Sequence, residues 1–147
     1  MTTQRETSID AGDLITRDDI ETLVRAFYRD AAMDDLLGPI FATAGVDWPT
    51  HIATLTDFWA WQLLGERGYE GNPLRAHEPI HQRCPFADAH YSRWLDLFTT
   101  TVDVNFAGPR AEIAKQRAAK MAHALQRLLA NQHGDPGAPI HPFAVPR

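Results

Sequence analysis

A single cysteine, Cys84, stands among 147 residues, so no internal disulfide framework is available and a reducing compartment suits the chain. No apolar run approaches the roughly 20 residues needed to span a bilayer. The polar opening stretch MTTQRETSIDAGD lacks the charged and apolar regions of a secretory signal. Basic charge is scarce as well. The formal net charge is −5, which removes the electrostatic footprint expected of a nucleic-acid binder. No segment sustains two-residue alternation with β-branched enrichment, so a strand-rich fold is excluded. The pair of Glu-x-x-His motifs of a di-iron bundle, a Walker loop, a GxGxxG turn and a GxSxG elbow are all missing. The expectation is a cytoplasmic, single-domain, all-α protein whose chemistry, if it has any, comes from a cofactor.

What is present is helical period. Residues 1–14 show none and are expected to be a flexible lead-in. Thr16-Arg17-Asp18-Asp19 resembles a capping box, with Ile15 and Ile20 spaced for a hydrophobic staple. Ile20, Leu23, Val24, Phe27 and Ala31 then recur at three and four, predicting a helix to about Met33, with Tyr28 at the stripe's edge. Leu36 to Phe41 contains Gly38-Pro39 and reads as one short turn carrying Ile40 and Phe41 inward. A helix opening at Asp47-Trp48-Pro49 and closing at Gly65 presents two stripes: His51, Leu55, Phe58 and Gln62, beside Ile52, Leu55, Trp59 and Leu63. After a glycine-rich loop around Tyr69, Asn72 and Pro73 open another helix. Pro79 is expected to end it within one or two turns, with His77 in its last turn and no His-x3-His pair on one helix. Two long helices follow. One carries Tyr91, Trp94, Leu95, Phe98, Thr101, Val102 and Phe106, and the other Ile113, Arg117, Met121, Leu125 and Leu128 among many alanines. Residues 132–147 form a proline- and glycine-rich tail expected to be disordered.

Seven histidines are spread along the chain. His133 and His141 fall at or in the tail, His123 among polar positions, and His90 ahead of an apolar stripe, where exposure is expected. His51 and His77 differ, because aromatic residues crowd both. Each also has a plain structural reading: His51 as a first-turn residue bonded to backbone or water, and His77 as a cation at a helix C-terminus. Cys84 is single, so a cysteine-based zinc site is excluded. A hydrolytic metal centre made from several histidines is disfavoured, since their spacings are not expected to converge.

Several runs, taken together in order, resemble the truncated haemoglobins of the third group. They are Phe27-Tyr28, Leu37-Gly38-Pro39-Ile40-Phe41, and His51 with Phe58-Trp59 and Leu63-Leu64-Gly65. Tyr69-x-Gly71-x-Pro73-x-x-x-His77 and Trp94-Leu95-x-Leu97-Phe98 complete the set. The resemblance extends from about Ile15 to Leu129, assigning a globin domain to residues 15–131.

This resemblance implies a globin-like two-over-two helical sandwich enclosing haem b. His77 matches the family's proximal iron ligand, with His81 a second candidate. Tyr28, His51 and Trp94 match its distal positions, where O–H and N–H donors would stabilise dioxygen or nitric oxide. Phe41, Leu55 and Tyr91 are expected to contact the cofactor, and Phe58 and Trp59 either to line its edge or to fill the core. Arg75 and Arg83 are candidates for the haem carboxylates or for solvent. The resemblance further implies oxygen, nitric-oxide or peroxide chemistry fed by an unidentified reductase. The competing reading from another class is a metal-free helical interaction or ligand-binding module, since aromatic stripes at helical spacing usually fill a core.

Overall fold

The computed structural model describes residues 11–134, and side chains to residue 130. The expected tail from 135 onward and the lead-in before residue 11 lie outside the described residues. Among those described, six helices and no strands occur: α1 Arg17–Met33, α2 Gly38–Ala44, α3 Trp48–Leu64, α4 Pro73–Arg83, α5 Asp88–Asn105 and α6 Pro109–Gly134. Helix α6 therefore continues through residues 132–134, inside the stretch assigned to the tail.

The long helices form two layers. Helices α1 and α3 pack on each other, α5 and α6 do the same, and α1 rests on α5 while α3 rests on α6. Helix α4 leans on α2 and α6 at one end of this sandwich. The layers are joined by aromatic stacking. Phe98 lies parallel to Trp94, with centroids 5.4 Å apart, and nearly parallel to Trp59 at 4.9 Å, while Phe27 meets it edge-on at 5.4 Å. Phe27, Trp59 and Phe98 are almost completely buried, and each removes enough apolar area from water to contribute on the order of 2–3 kcal/mol. The alanines of α6 let it approach this stack closely: Ala111, Ala114, Ala118 and Ala122 are buried, whereas Ile113 is partly exposed. The core face of α6 is thus the alanine row with Leu125 and Leu129; of the expected stripe, Ile113 and Arg117 are exposed while Met121 and Leu125 pack inward.

Local chemistry sets the helix ends. Thr16 and Asp19 form the expected capping box, Asp19 N–H donating to the Thr16 hydroxyl (3.2 Å) and Thr16 N–H to the Asp19 carboxylate (3.0 Å). The staple is not formed. Ile15 is 54% exposed, and Leu14 is the residue turned fully inward. The lead-in also ends earlier than residue 14. The Asp13 carboxylate accepts hydrogen bonds from the N–H groups of Arg110 (2.9 Å) and Ala111 (2.8 Å), capping α6 across the fold. Gly108, at φ 142°, makes room for it, because a Cβ there would lie 2.5 Å from the Asp13 side chain. Burial alone would raise the Asp13 carboxyl's pKa. The N–H donors of Arg110, Leu14 and Ala111, with the Arg110 charge, outweigh it and hold the group below the usual carboxylate range.

Helix α4 departs most from expectation. It runs eleven residues, with Pro79 inside it. The proline removes the hydrogen bond to the Arg75 carbonyl and costs about 3 kcal/mol. Offsetting this, Leu74 and His81, near opposite ends of the helix, are both buried, and Leu74 packs with Leu125 and Leu129 of α6. The Asn72 side chain accepts from Leu74 N–H (3.0 Å) and Arg75 N–H (3.2 Å), giving α4 a firm start. Because the helix continues, His77 sits at its middle and His81 in its last turn. The two share one helix after all.

Candidate functional site

A cavity of about 430 Å³ opens where α1, α2, α3, α4, α5 and α6 converge. Its wall is mostly apolar, including Leu37, Ile40, Phe41, Leu55, Phe58 and Phe86. Tyr28 reaches it from α1, His51 from α3, Trp94 from α5 and His77 from α4. The volume lies within the range of pockets that hold small organic cofactors.

His77 is held by its own helix. Its Nδ1 lies 2.6 Å from the Pro73 carbonyl oxygen one turn earlier. A carbonyl can only accept, so Nδ1 carries the proton and Nε2 keeps its lone pair. Burial lowers the pKa of the ring, although the bond to Pro73 pulls the other way. The result is a neutral imidazole with an oriented Nε2 lone pair, the state a metal requires.

On the other wall, His51 stands inside an aromatic box. Tyr28 meets it edge-on at 5.0 Å, Trp48 at 5.7 Å and Phe41 at 6.5 Å. Burial lowers its pKa first, and the charge that His77 would carry lowers it further. Its Nε2 is buried and has no hydrogen-bond partner. A polar atom left this way is costly unless a ligand meets it. The Tyr28 hydroxyl accepts a hydrogen bond from Trp94, whose indole N–H can only donate. Burial drives the tyrosine's pKa well above its ordinary value despite that bond, so the hydroxyl keeps its own proton to donate.

The other expected positions divide. Phe41, Leu55, Phe58 and Tyr91 line the cavity. Burial, with the Asp88 charge behind it, pushes the Tyr91 pKa up to about 12. Trp59 does not reach the cavity; it is 1% exposed and stacked on Phe98, a core residue. Arg75 and Arg83 are exposed and do not line it. His90, expected to be exposed, is half-buried at the cavity wall, with its Nδ1 accepting Ala87 N–H (2.8 Å) at the start of α5.

His81 is 5% exposed and lies off the cavity wall, its Nδ1 accepting the Phe86 N–H at 3.0 Å. This bears on a further spacing, since His77-Glu78-Pro79-Ile80-His81 reads as HExxH, the pattern of zinc-dependent hydrolases. The folded chain does not build that centre. The two imidazoles serve different surroundings, and among the described residues no group of three His, Cys, Asp or Glu side chains could hold a metal ion.

Several wall residues carried no legible signal. Phe86 lies in a connection without period, and Ile80 lies past the expected end of α4. Met121 and Leu125 were legible only as members of a helix stripe. Ile80 falls three residues after His77, and a continuous helix would have placed it on the same face.

An apolar cavity with one tautomer-locked imidazole, an opposing imidazole whose Nε2 has no partner and a phenol donor held by an indole suits a flat metallo-macrocycle. Together with the two-layer all-α fold, it defines a globin-type cofactor pocket. Comparison with known proteins agrees. No protein-family model matches the chain. The chain is 32% identical over 121 residues to the group 3 truncated hemoglobin ctb of Campylobacter jejuni, covering 80% of this chain and 93% of that protein. It is also similar to the crystal structure of the group III truncated hemoglobin from Campylobacter jejuni. The TM-score is 0.70 and the identity 34%, over 78% of this chain and 91% of that one. The chain belongs to the group 3 truncated haemoglobins, and is a globin-type haem-binding protein. Among the described residues no helix is long and apolar enough to cross a membrane.

Proposed function

We propose that this chain binds haem b, that His77 would hold its iron, and that Tyr28 and His51 would help retain dioxygen or nitric oxide for chemistry, not for bulk delivery. The observation that carries the reading is the 2.6 Å contact between His77 Nδ1 and the Pro73 carbonyl. When bound, the haem iron supplies the diatomic-ligand binding and one-electron chemistry that the side chains lack.

The chain's own residues do the rest. His77 presents Nε2 as a neutral donor, and its bond to Pro73 makes that nitrogen more basic and fixes the ring's orientation. Phe41, Leu55, Phe58 and Phe86 give the cavity an apolar wall, against which hydrogen bonds to a small ligand gain strength. The Tyr28 O–H and the His51 ring are placed to meet a ligand, and Trp94 orients the tyrosine through its indole N–H. Each neutral hydrogen bond contributes on the order of 1 kcal/mol, about fivefold in ligand off-rate. Several donors together favour retention over release, in keeping with nitric-oxide or peroxide turnover assisted by a separate reductase. The single Cys84 suits a reducing, cytoplasmic setting.

Absorption spectra of the purified ferric, ferrous and carbonmonoxy forms test this reading. The expected result is an intense Soret band with the ferrous spectrum of a five-coordinate histidine-ligated haem. A colourless protein that takes up no added haemin would end the reading. A six-coordinate bis-histidine ferrous spectrum would remove its open ligand position.

A further inference from the structure

We infer that His81 is a positioning residue for His77, acting through Phe86, an assignment that rests on the haem-binding reading above. The link is structural at every step. His81 lies one helical turn beyond His77 on α4 and is 5% exposed. Its Nδ1 accepts the backbone N–H of Phe86 at 3.0 Å, so the connection between α4 and α5 is tied back onto α4 at that residue. The Phe86 ring packs against the His81 ring at 5.3 Å and meets the His77 ring edge-on at 6.1 Å, with interplanar angle 72°. On its other side Phe86 meets Tyr91 at 5.9 Å, edge-on, which anchors it to α5.

The consequence for His77 follows from rotation. The bond from Nδ1 to Pro73 fixes one edge of the imidazole, and that bond is within the helix's first turn. It leaves torsion about the side chain restrained only by what touches the ring face. Phe86 is an aromatic neighbour of the His77 ring. A connection free to move would let Phe86 withdraw, the imidazole rock and its bond to Pro73 lengthen. His81 removes that freedom by binding the Phe86 main chain. The arrangement gives His81 a purpose other than that of a competing iron ligand, and explains why a polar residue is buried at the end of a helix already burdened by Pro79.

The test is the iron–histidine stretching band in the resonance Raman spectrum of the ferrous holoprotein. His81→Ala removes the acceptor for Phe86 N–H. The band is expected to broaden and shift to lower frequency, because a weaker bond from Nδ1 makes Nε2 a poorer donor. His81→Asn keeps a side-chain acceptor and is expected to return the band toward that of the parent. Phe86→Leu leaves the His81 acceptor in place but removes the ring, and is expected to shift the band in the same direction as His81→Ala. It also serves if His81→Ala fails to fold. An unchanged band in a folded, haem-loaded His81→Ala protein, or in Phe86→Leu, would overturn the assignment. Equal shifts in His81→Ala and His81→Asn would also overturn it, by showing that burial and not the hydrogen bond matters. Failure of the parent protein to bind haem would instead overturn the underlying reading, and is visible before any variant is made.

Discussion

Tyr28, His51 and Trp94 stand on three long helices whose buried faces meet in one aromatic core, while His77 stands on an eleven-residue helix with a proline inside it. The first wall is redundant. Trp94 stacks on Phe98, Phe98 on Trp59, and Phe27 closes against Phe98, Trp94 and Tyr28, so each aromatic is held by others. The second wall leans on α2 and α6, through contacts that include Leu74 against Leu125 and Leu129, the Asn72 cap and the His81 bond to Phe86. The difference teaches where cofactor and fold are coupled. The wall with Tyr28, His51 and Trp94 is held by its own packing, whereas on the proposed reading the helix bearing His77 would gain stability from the cofactor it holds.

The largest expected effect breaks the second wall only. His77→Gly should abolish haem retention, read as loss of the Soret band after gel filtration, and added imidazole should restore it. Retention without imidazole would mean that another residue is the ligand. Phe98→Ala strikes the first wall. It should cost about 3–5 kcal/mol in urea unfolding, as expected for a buried aromatic truncated to a cavity. A cost under about 1 kcal/mol would show that the stack is less cooperative than its geometry indicates.

Tyr28→Phe separates chemistry from packing on the same wall. The ring packing stays, while the hydroxyl goes both as a donor and as the acceptor for the Trp94 indole N–H. The dioxygen off-rate should rise about fivefold for a bond worth about 1 kcal/mol, and stopped-flow measurement of an unchanged rate would exclude Tyr28 as a direct donor. The smallest effect lies far from the cavity. Asp13→Ala should cost about 1 kcal/mol at neutral pH through loss of the α6 cap, with haem dissociation unaltered. Asp13 is depressed in the folded state, so its contribution is full above the ordinary aspartate pKa of about 4. It fades as pH falls through the lower folded value. The stability difference between Asp13→Ala and the parent should therefore narrow in acid; a constant gap would place the effect outside the carboxylate.

The helices of the two layers were legible because their signals are local. Thr16 and Asp19 cap α1, Gly65 closes α3 at φ 75°, and Asn72 with Pro73 opens α4. That Tyr28, His51, His77 and Trp94 share one pocket was implied by the resemblance to the truncated haemoglobins and not by these periods. Other features were not local. Ile15 was expected to face inward; Leu14 does so instead, beside the Asp13 that caps α6 from across the fold. Pro79 argued for a helix end, and the burial of Leu74 and His81 overrode it. Trp59 and Phe58 are adjacent on one helix, yet Trp59 faces Phe98 while Phe58 faces the cavity.

By itself, then, the sequence determined an all-α chain, the caps and breaks of most of its helices, and the set of imidazole, phenol and indole groups available to a cofactor. Those depend on neighbours within a turn or two. His77 meets the carbonyl of Pro73 within its own helix, and His81 the amide of Phe86 five residues on. What only the tertiary structure decided is which imidazole is left without a partner and which faces share one cavity, because the aromatic box around His51 takes Tyr28 from α1 and Phe41 from α2.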